Sequence, residues 1–165
     1  MSASRAGTVR APGPQAVHLQ ARRIRRRQIA MDDTDASDPS AAPDGWAVRR
    51  QVLGDDYVDA RLAEVADDPV GAEFQAYLTE MAWGVWARGG PLSLRDRSLL
   101  VLAMTAAMGR MDEFRIHATA APNAGVTDEE IDELIFQIAA YCGGPAGLSS
   151  RKVVKAIRGE RDAGV

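Results

Sequence analysis

A single cysteine in 165 residues, Cys142, leaves no room for an internal disulfide, a Cys-x-x-Cys redox pair or a multi-cysteine metal site. Histidine is almost as scarce. His18 and His117 are the two in the chain, too few for a histidine cage around a metal. Aromatic residues make up only 5%, so any core must be built mostly of Ala, Leu, Val, Ile and Met. No apolar run approaches the roughly 20 residues of a membrane span, and the N-terminus lacks the apolar segment of a secretory signal. These absences exclude a dithiol redox pair and a cysteine-rich metal site, argue against a histidine metal cage, and point to a reducing, cytoplasmic compartment with no membrane. The length suits one ordinary domain with one core.

Acid is missing from the first 30 residues, which carry seven arginines, and base is missing from residues 31–45, which carry five aspartates. The net charge of −3 therefore leaves the remainder at −5, a mildly acidic body that argues against nucleic acid as a partner. Residues 1–45 also contain scarcely any large apolar side chains. They cannot bury enough surface to offset chain entropy, so a disordered N-terminal arm is expected there and a folded domain over 46–165. Three readings of the arm stand side by side: a basic segment for polyanions, an Arg-rich targeting peptide, or a start site placed too far upstream, with Met31 opening the native protein.

From Trp46 onward the pattern is helical, without any alternating run of strand type. Short helices are expected over 46–53, stopped by Gly54, and over 57–65. Pro69 sits where a first-turn proline belongs. Behind it Val70, Phe74, Tyr77, Leu78, Met81, Ala82 and Val85 form an apolar stripe, expected to face the core. Ser93 with Asp96 is a capping-box start for a helix over 94–108 that is apolar nearly all round, hence expected at the buried centre. Gly109 ends it. The helix bearing His117 must stop or kink at Pro122. Thr127 with Glu130 opens another helix, with Ile131, Leu134, Ile135, Ile138 and Cys142 inward. Gly143-Gly144-Pro145 closes it, and Val153, Val154 and Ile157 mark a last amphipathic helix. The fold class is all-α, about six to seven helices.

His117 is the histidine of the foldable part. Glu113 precedes it by four residues, so on a helix the two share a face. A carboxylate beside an imidazole suits acid–base work, although an ordinary surface Glu–His pair has the same spacing. Phe114, Ala118 and Ala121 make the apolar edge of that helix, and His117 lies just beside it, where a pocket wall would be. Trp83 falls opposite the centre of the stripe, with Trp86 to one side and Glu80 to the other. An outward tryptophan is expected to be covered by another subunit or by a pocket at such a contact, the alternative being a simple exposed aromatic. Arg95 and Arg97 stand in the first turn of the central helix, where the helix dipole disfavours cations. A bound anion would account for them. So would solvation or ion pairing. Arg110 and Arg115 bracket Glu113 in a similar way. Cys142, on an apolar face, reads as a small core residue.

Several pieces occur in an ordered set: Tyr57-Val58-Asp59, Glu73-Phe74-Gln75, Thr79-Glu80-Met81-Ala82-Trp83-Gly84-Val85-Trp86 and Arg95-Asp96-Arg97-Ser98-Leu99-Leu100. Leu102-Ala103-Met104, Glu113-Phe114-Arg115-Ile116-His117, Asn123-Ala124-Gly125-Val126-Thr127 and Ala140-Tyr141-Cys142-Gly143 follow. Together they resemble the γ-carboxymuconolactone decarboxylase family across nearly all of residues 51–157. The resemblance implies an alkylhydroperoxidase-like helical fold that assembles as a homo-oligomer, a trimer or hexamer, with sites near subunit contacts. Redox members of that superfamily carry Cys-x-x-Cys four residues before the histidine. Arg110 and Glu113 stand there instead, which excludes thiol peroxidase chemistry.

The decarboxylase branch uses no cofactor. It converts 4-carboxymuconolactone to β-ketoadipate enol-lactone in protocatechuate catabolism, the β-ketoadipate pathway. By this resemblance His117 is expected as the catalytic proton donor, with Glu113 orienting it. Arg97 is expected to hold a carboxylate of the small anionic lactone substrate, Trp83 and Trp86 to wall its ring, and Glu80 to lie beside that wall. Thr119 departs from the family, which carries arginine two residues after the histidine. Pro122 and Ala124 depart as well, and the Trp83–Trp86 spacing is one residue short. These departures leave open a paralogous lyase or isomerase acting on another small lactone or keto acid, or an oligomeric binding protein that has lost the activity.

Overall fold

The computed structural model describes residues 44–164. The expected arm thus lies outside the described residues, except that Asp44 caps the first helix and Gly45 begins it. Seven helices and no strand occur among the described residues. They are α1 (Gly45–Leu53), α2 (Asp55–Glu64), α3, α4 (Leu94–Ala107), α5 (Met111–Ala120), α6 (Asp128–Cys142) and α7 (Gly144–Asp162). Helix α3 runs through Pro69–Leu78, a π-helical turn Thr79–Trp83 and a last α-turn Gly84–Ala87. A 3-10 turn, Ala121–Ala124, prolongs α5.

Local chemistry sets most of these boundaries. Asp44 accepts from the Ala47 N–H, and Asp68 accepts from Val70 N–H with Pro69 in the first turn. Both capping boxes are formed in full, Ser93 with Asp96 and Thr127 with Glu130. Gly54, at φ 90°, turns α1 into α2 in a conformation that L side chains rarely adopt. Pro122 ends the α5 geometry as expected, and the chain tightens into the 3-10 turn.

Two apolar clusters result. The larger packs Leu102, Phe114, Ala118, Ile131, Ile138 and Val154, drawn from α4 to α7. Gly147 lets α7 lie close on α6, because a Cβ there would stand 2.7 Å from the Ala139 Cβ. The smaller cluster joins Val48 and Val52 of α1 to Trp83, with Leu53, Trp86, Ala87, Leu94 and Ala124 around it.

Three expectations are corrected. The stripe on α3 faces outward in the protomer: Val70, Phe74, Tyr77, Met81 and Val85 are 50–75% exposed, whereas Trp83 is 8% exposed. Trp83 is therefore opposite the stripe, as the periodicity says, but the two faces have exchanged roles. Periodicity reveals that a helix has two faces; only the packing of α1 decides which is covered. Gly45 makes that packing possible, since a Cβ there would meet the Gly84 nitrogen and Thr79 oxygen at 3.1 Å. The second correction concerns α4, which buries one face only. Leu102, Thr105 and Ala106 point in, and Leu100, Met104 and Met108 point out. The third is Cys142, which is exposed rather than in the core, because it falls on the last turn of α6, just before the chain reverses at Gly143.

Candidate active site

The smaller cluster borders the candidate site. Helix α3 turns through its π segment and presents Trp83 inward. Trp86, three residues on, lies with its ring centroid 4.9 Å away at a 44° tilt. From α5 the His117 imidazole stacks on both indoles, 6.0 Å from Trp83 and 6.4 Å from Trp86, at 23° and 24°. Its Nδ1 is buried and has no hydrogen-bond partner. Burial pushes the His117 pKa below the ordinary 6.5, and the nearby Glu113 charge opposes that shift. The imidazole is thus held toward its neutral form, with one ring nitrogen buried and unpaired.

The remaining expected site residues are placed unevenly. Glu113 is exposed and reaches His117 through its charge. Arg97 is 8% exposed and its guanidinium is directed at the turn before α4: Nε donates to Leu92 O at 3.2 Å and Nη2 to Gly89 O at 2.8 Å. One turn before Arg97, Leu94 packs against the cluster containing Trp83. Glu80 lies exposed in the π turn. The structure therefore gathers Trp83, Trp86 and His117 as one stack. Glu113 lies exposed on the same helix as His117, Arg97 lies on α4 with its bonds to the preceding turn, and Glu80 is exposed in the π turn.

Arg95 bonds Glu130 and Asp96, and Arg115 bonds Glu160 at 2.6 Å. These two arginines are thereby ion-paired at the surface. A cavity of about 250 Å³ opens between α5, α6 and α7 and includes Thr119, but neither His117 nor either indole lines it. Its arginines are matched by acids, Arg158 to Asp132 at 3.0 Å and Arg161 to Asp128 at 2.6 Å. The departure at Thr119 therefore sits outside the stacked rings. No three His, Cys, Asp or Glu side chains gather as a metal-binding group among the described residues.

Two residues beside the site carry little signal in the sequence. Asn123 donates Nδ2 to Val52 O at 3.0 Å, tying the turn after α5 to α1. Arg49, adjacent to an exposed-looking Arg50, is 6% exposed and donates to Thr79 Oγ1 and Gln75 Oε1. Its position next to Val48, on the face that meets Trp83, was the available hint.

The sequence model of the Carboxymuconolactone decarboxylase family matches residues 72–156, just over half of the chain and the part that holds both indoles and His117. The chain belongs to the carboxymuconolactone decarboxylase family. It is 38% identical over 114 residues to the 4-carboxymuconolactone decarboxylase of Acinetobacter baylyi, covering 68% of this chain and 83% of that one. It is 37% identical over 113 residues to the nitrosuccinic acid decarboxylase npaB of Metarhizium robertsii, covering 68% of this chain and 77% of that one. Both relatives are decarboxylases, and this family member is a carboxy-lyase. No described helix is long and apolar enough to cross a membrane.

Proposed function

We propose that this protein decarboxylates 4-carboxymuconolactone to β-ketoadipate enol-lactone, without a cofactor, as a cytoplasmic step of protocatechuate catabolism. The observation that carries the reading is the half-buried His117 imidazole stacked on Trp83 and Trp86. Breaking the bond to the departing carboxylate releases carbon dioxide and leaves an electron pair, which spreads through the ring double bond into the lactone carbonyl. The site must steady that dienolate oxygen and then return one proton to carbon. Firm pairing with the departing carboxylate would stabilise the ground state instead. An apolar indole wall suits the ring, and it leaves the departing group unpaired.

His117 is the proton donor in this reading and Glu113 its orienting charge. In the free protein burial holds the His117 pKa down. A dianionic substrate beside the ring raises it again, because a neighbouring negative charge favours imidazolium. The acid is thus generated where and when the substrate binds. Arg97, anchored by Gly89 and Leu92 carbonyls, keeps its Nη1 for the carboxylate that remains. Trp83 and Trp86 wall the ring, and Glu80 supports the outer end of that wall.

A second substrate reading has a specific support, the relative from Metarhizium robertsii that acts on nitrosuccinic acid. A nitro group, like a lactone carbonyl, accepts the electron pair left by carbon dioxide, so the same donor and wall would serve a small nitro acid. Assaying the purified protein on both compounds separates the two. His117→Ala should lower turnover on the true substrate by at least about a hundredfold, with the fold intact by circular dichroism. Turnover near the wild-type value would make the imidazole structural and move the search for the acid to Glu113 and Glu80.

The protein is further proposed to be a homo-oligomer, a trimer or hexamer. The support is the outward stripe of Val70, Phe74, Tyr77, Met81 and Val85, a continuous helical face of large apolar side chains. Light scattering should show several subunits, and Met81→Asp should reduce their number. A wild-type monomer at micromolar concentration would overturn this assignment.

A further inference from the structure

Helix α3 contains the least regular turn of the described chain, Thr79–Trp83, and that turn delivers Trp83 to His117. A π turn spaces its hydrogen bonds one residue wider than an α-helix, is rare, and recurs as single turns at functional sites. Something must hold it against relaxing into the regular helix on either side. Thr79 Oγ1 donates to Gln75 O at 2.8 Å, and Arg49 Nη1 donates to Thr79 Oγ1 at 2.7 Å. Arg49 Nη2 donates to Gln75 Oε1 at 3.0 Å. One guanidinium therefore spans the two side chains one turn apart at the entry of the π segment.

The identity of that side chain is informative. Arg49 is 6% exposed, its acceptors are neutral, and its Nε is buried without a partner. Its guanidinium carbon lies 5.5 Å over the Trp46 ring. A buried cation with neutral acceptors is costly, and packing alone is better served by an apolar side chain of similar volume. Burial duly pushes the Arg49 pKa down. What an apolar residue could not supply is the rigid fork of donors that fixes two acceptors at a set separation. Val48 and Val52, on the same helix, meanwhile pack against Trp83 itself.

We infer that Arg49 is a positioning residue: its fork on Thr79 and Gln75 holds the π turn, and so sets the Trp83–Trp86 pair against His117. The inference rests on reading those three rings as the substrate site. Its first readout, however, is independent of any substrate. Two indoles 4.9 Å apart and tilted by 44° couple their far-ultraviolet transitions and give a paired exciton band in circular dichroism. Trp46→Phe supplies a background in which Trp83 and Trp86 are the remaining indoles.

In that background Thr79→Val, which keeps side-chain shape but removes the hydroxyl, should cut the exciton amplitude by at least half while helicity is retained. Arg49→Lys, a single point donor in place of the fork, should fall between wild type and Arg49→Met. Turnover should follow the exciton band, dropping about tenfold in Thr79→Val with KM little changed. Unaltered exciton bands in folded Thr79→Val and Gln75→Leu would overturn the inference, whatever happens to melting temperature. A lost exciton band with unchanged turnover would instead uphold the positioning of the rings and refute the site reading. If Arg49→Met fails to fold, Thr79→Val and Gln75→Leu decide the matter.

Discussion

The α4–α7 bundle and the α1–α3 face use similar residues for opposite ends. In the bundle Leu102, Phe114, Ile131, Ile138 and Val154 close an apolar core, and charged pairs such as Arg158–Asp132 stay at its rim. On the α1–α3 face the core shrinks to Val48, Val52 and Trp83, and a buried arginine and a buried threonine stand among them. There, too, lie a helix turn of irregular spacing and an imidazole nitrogen without a partner. The bundle spends its apolar surface on stability. Buried polar atoms without a partner occur in both regions, Ser98 Oγ and Arg158 Nε in the bundle and Arg49 Nε on the other face. On the second they stand against a much smaller apolar core, at a cost in stability. His117 stands at the seam, on a bundle helix with its ring stacked on the tryptophans of the other region.

Substitutions should separate the two regions. The largest effect is expected in the bundle. Phe114 is fully buried, so Phe114→Ala should destabilise the protein by about 3–5 kcal/mol. Turnover per folded molecule at a temperature well below melting should stay near wild type. Urea titration paired with an activity assay checks both. A large loss of turnover in the folded fraction would show that the bundle core and the site are not separable.

A smaller effect is expected from titration of His117. Its folded pKa lies below the unfolded value of about 6.5, so over that interval the unfolded chain binds more protons. The stability held by the neutral ring is therefore complete above about pH 6.5 and is lost as pH falls toward the folded value. His117→Ala should flatten this part of the stability–pH curve. Glu113→Gln should move the His117 pKa further down, because it removes the charge that opposes desolvation. In its proposed role as the acid, His117 should also give a kcat/KM that declines as pH rises through its lowered pKa. The corresponding decline in kcat should come at higher pH, where the bound dianion has raised it. Coincident profiles, or an unmoved histidine resonance in Glu113→Gln, would break the electrostatic link between Glu113, His117 and substrate.

Much of this architecture is legible in residue order. The capping boxes at Ser93–Asp96 and Thr127–Glu130, Pro69 in a first turn, Pro122 at a helix end and the glycine stops at 54, 109 and 143 are local chemistry. Each acts over a few residues, which is why the helices and the all-α class could be read directly. The Glu113–His117 spacing is local in the same sense, and so is the Trp83–Trp86 pair. Which face of α3 is covered is not local. It depends on α1 approaching at Gly45, far away in sequence, and the opposite assignment would satisfy the same periodicity.

The roles of the arginines were decided in the same way. Five N–H donors on a long side chain can reach a solvent, an acid, a carbonyl or a neighbouring helix, and spacing does not choose between them. Only the packed structure sends Arg95 to Glu130, Arg97 to the Gly89 and Leu92 carbonyls, and Arg49 to Thr79 and Gln75. Residue order alone determined the helices, most of their ends and the four-residue spacing that puts Glu113 and His117 on one helix. The tertiary structure decided which aromatic rings face that pair and which cations are buried, because both depend on contacts between segments that the chain brings together only when folded.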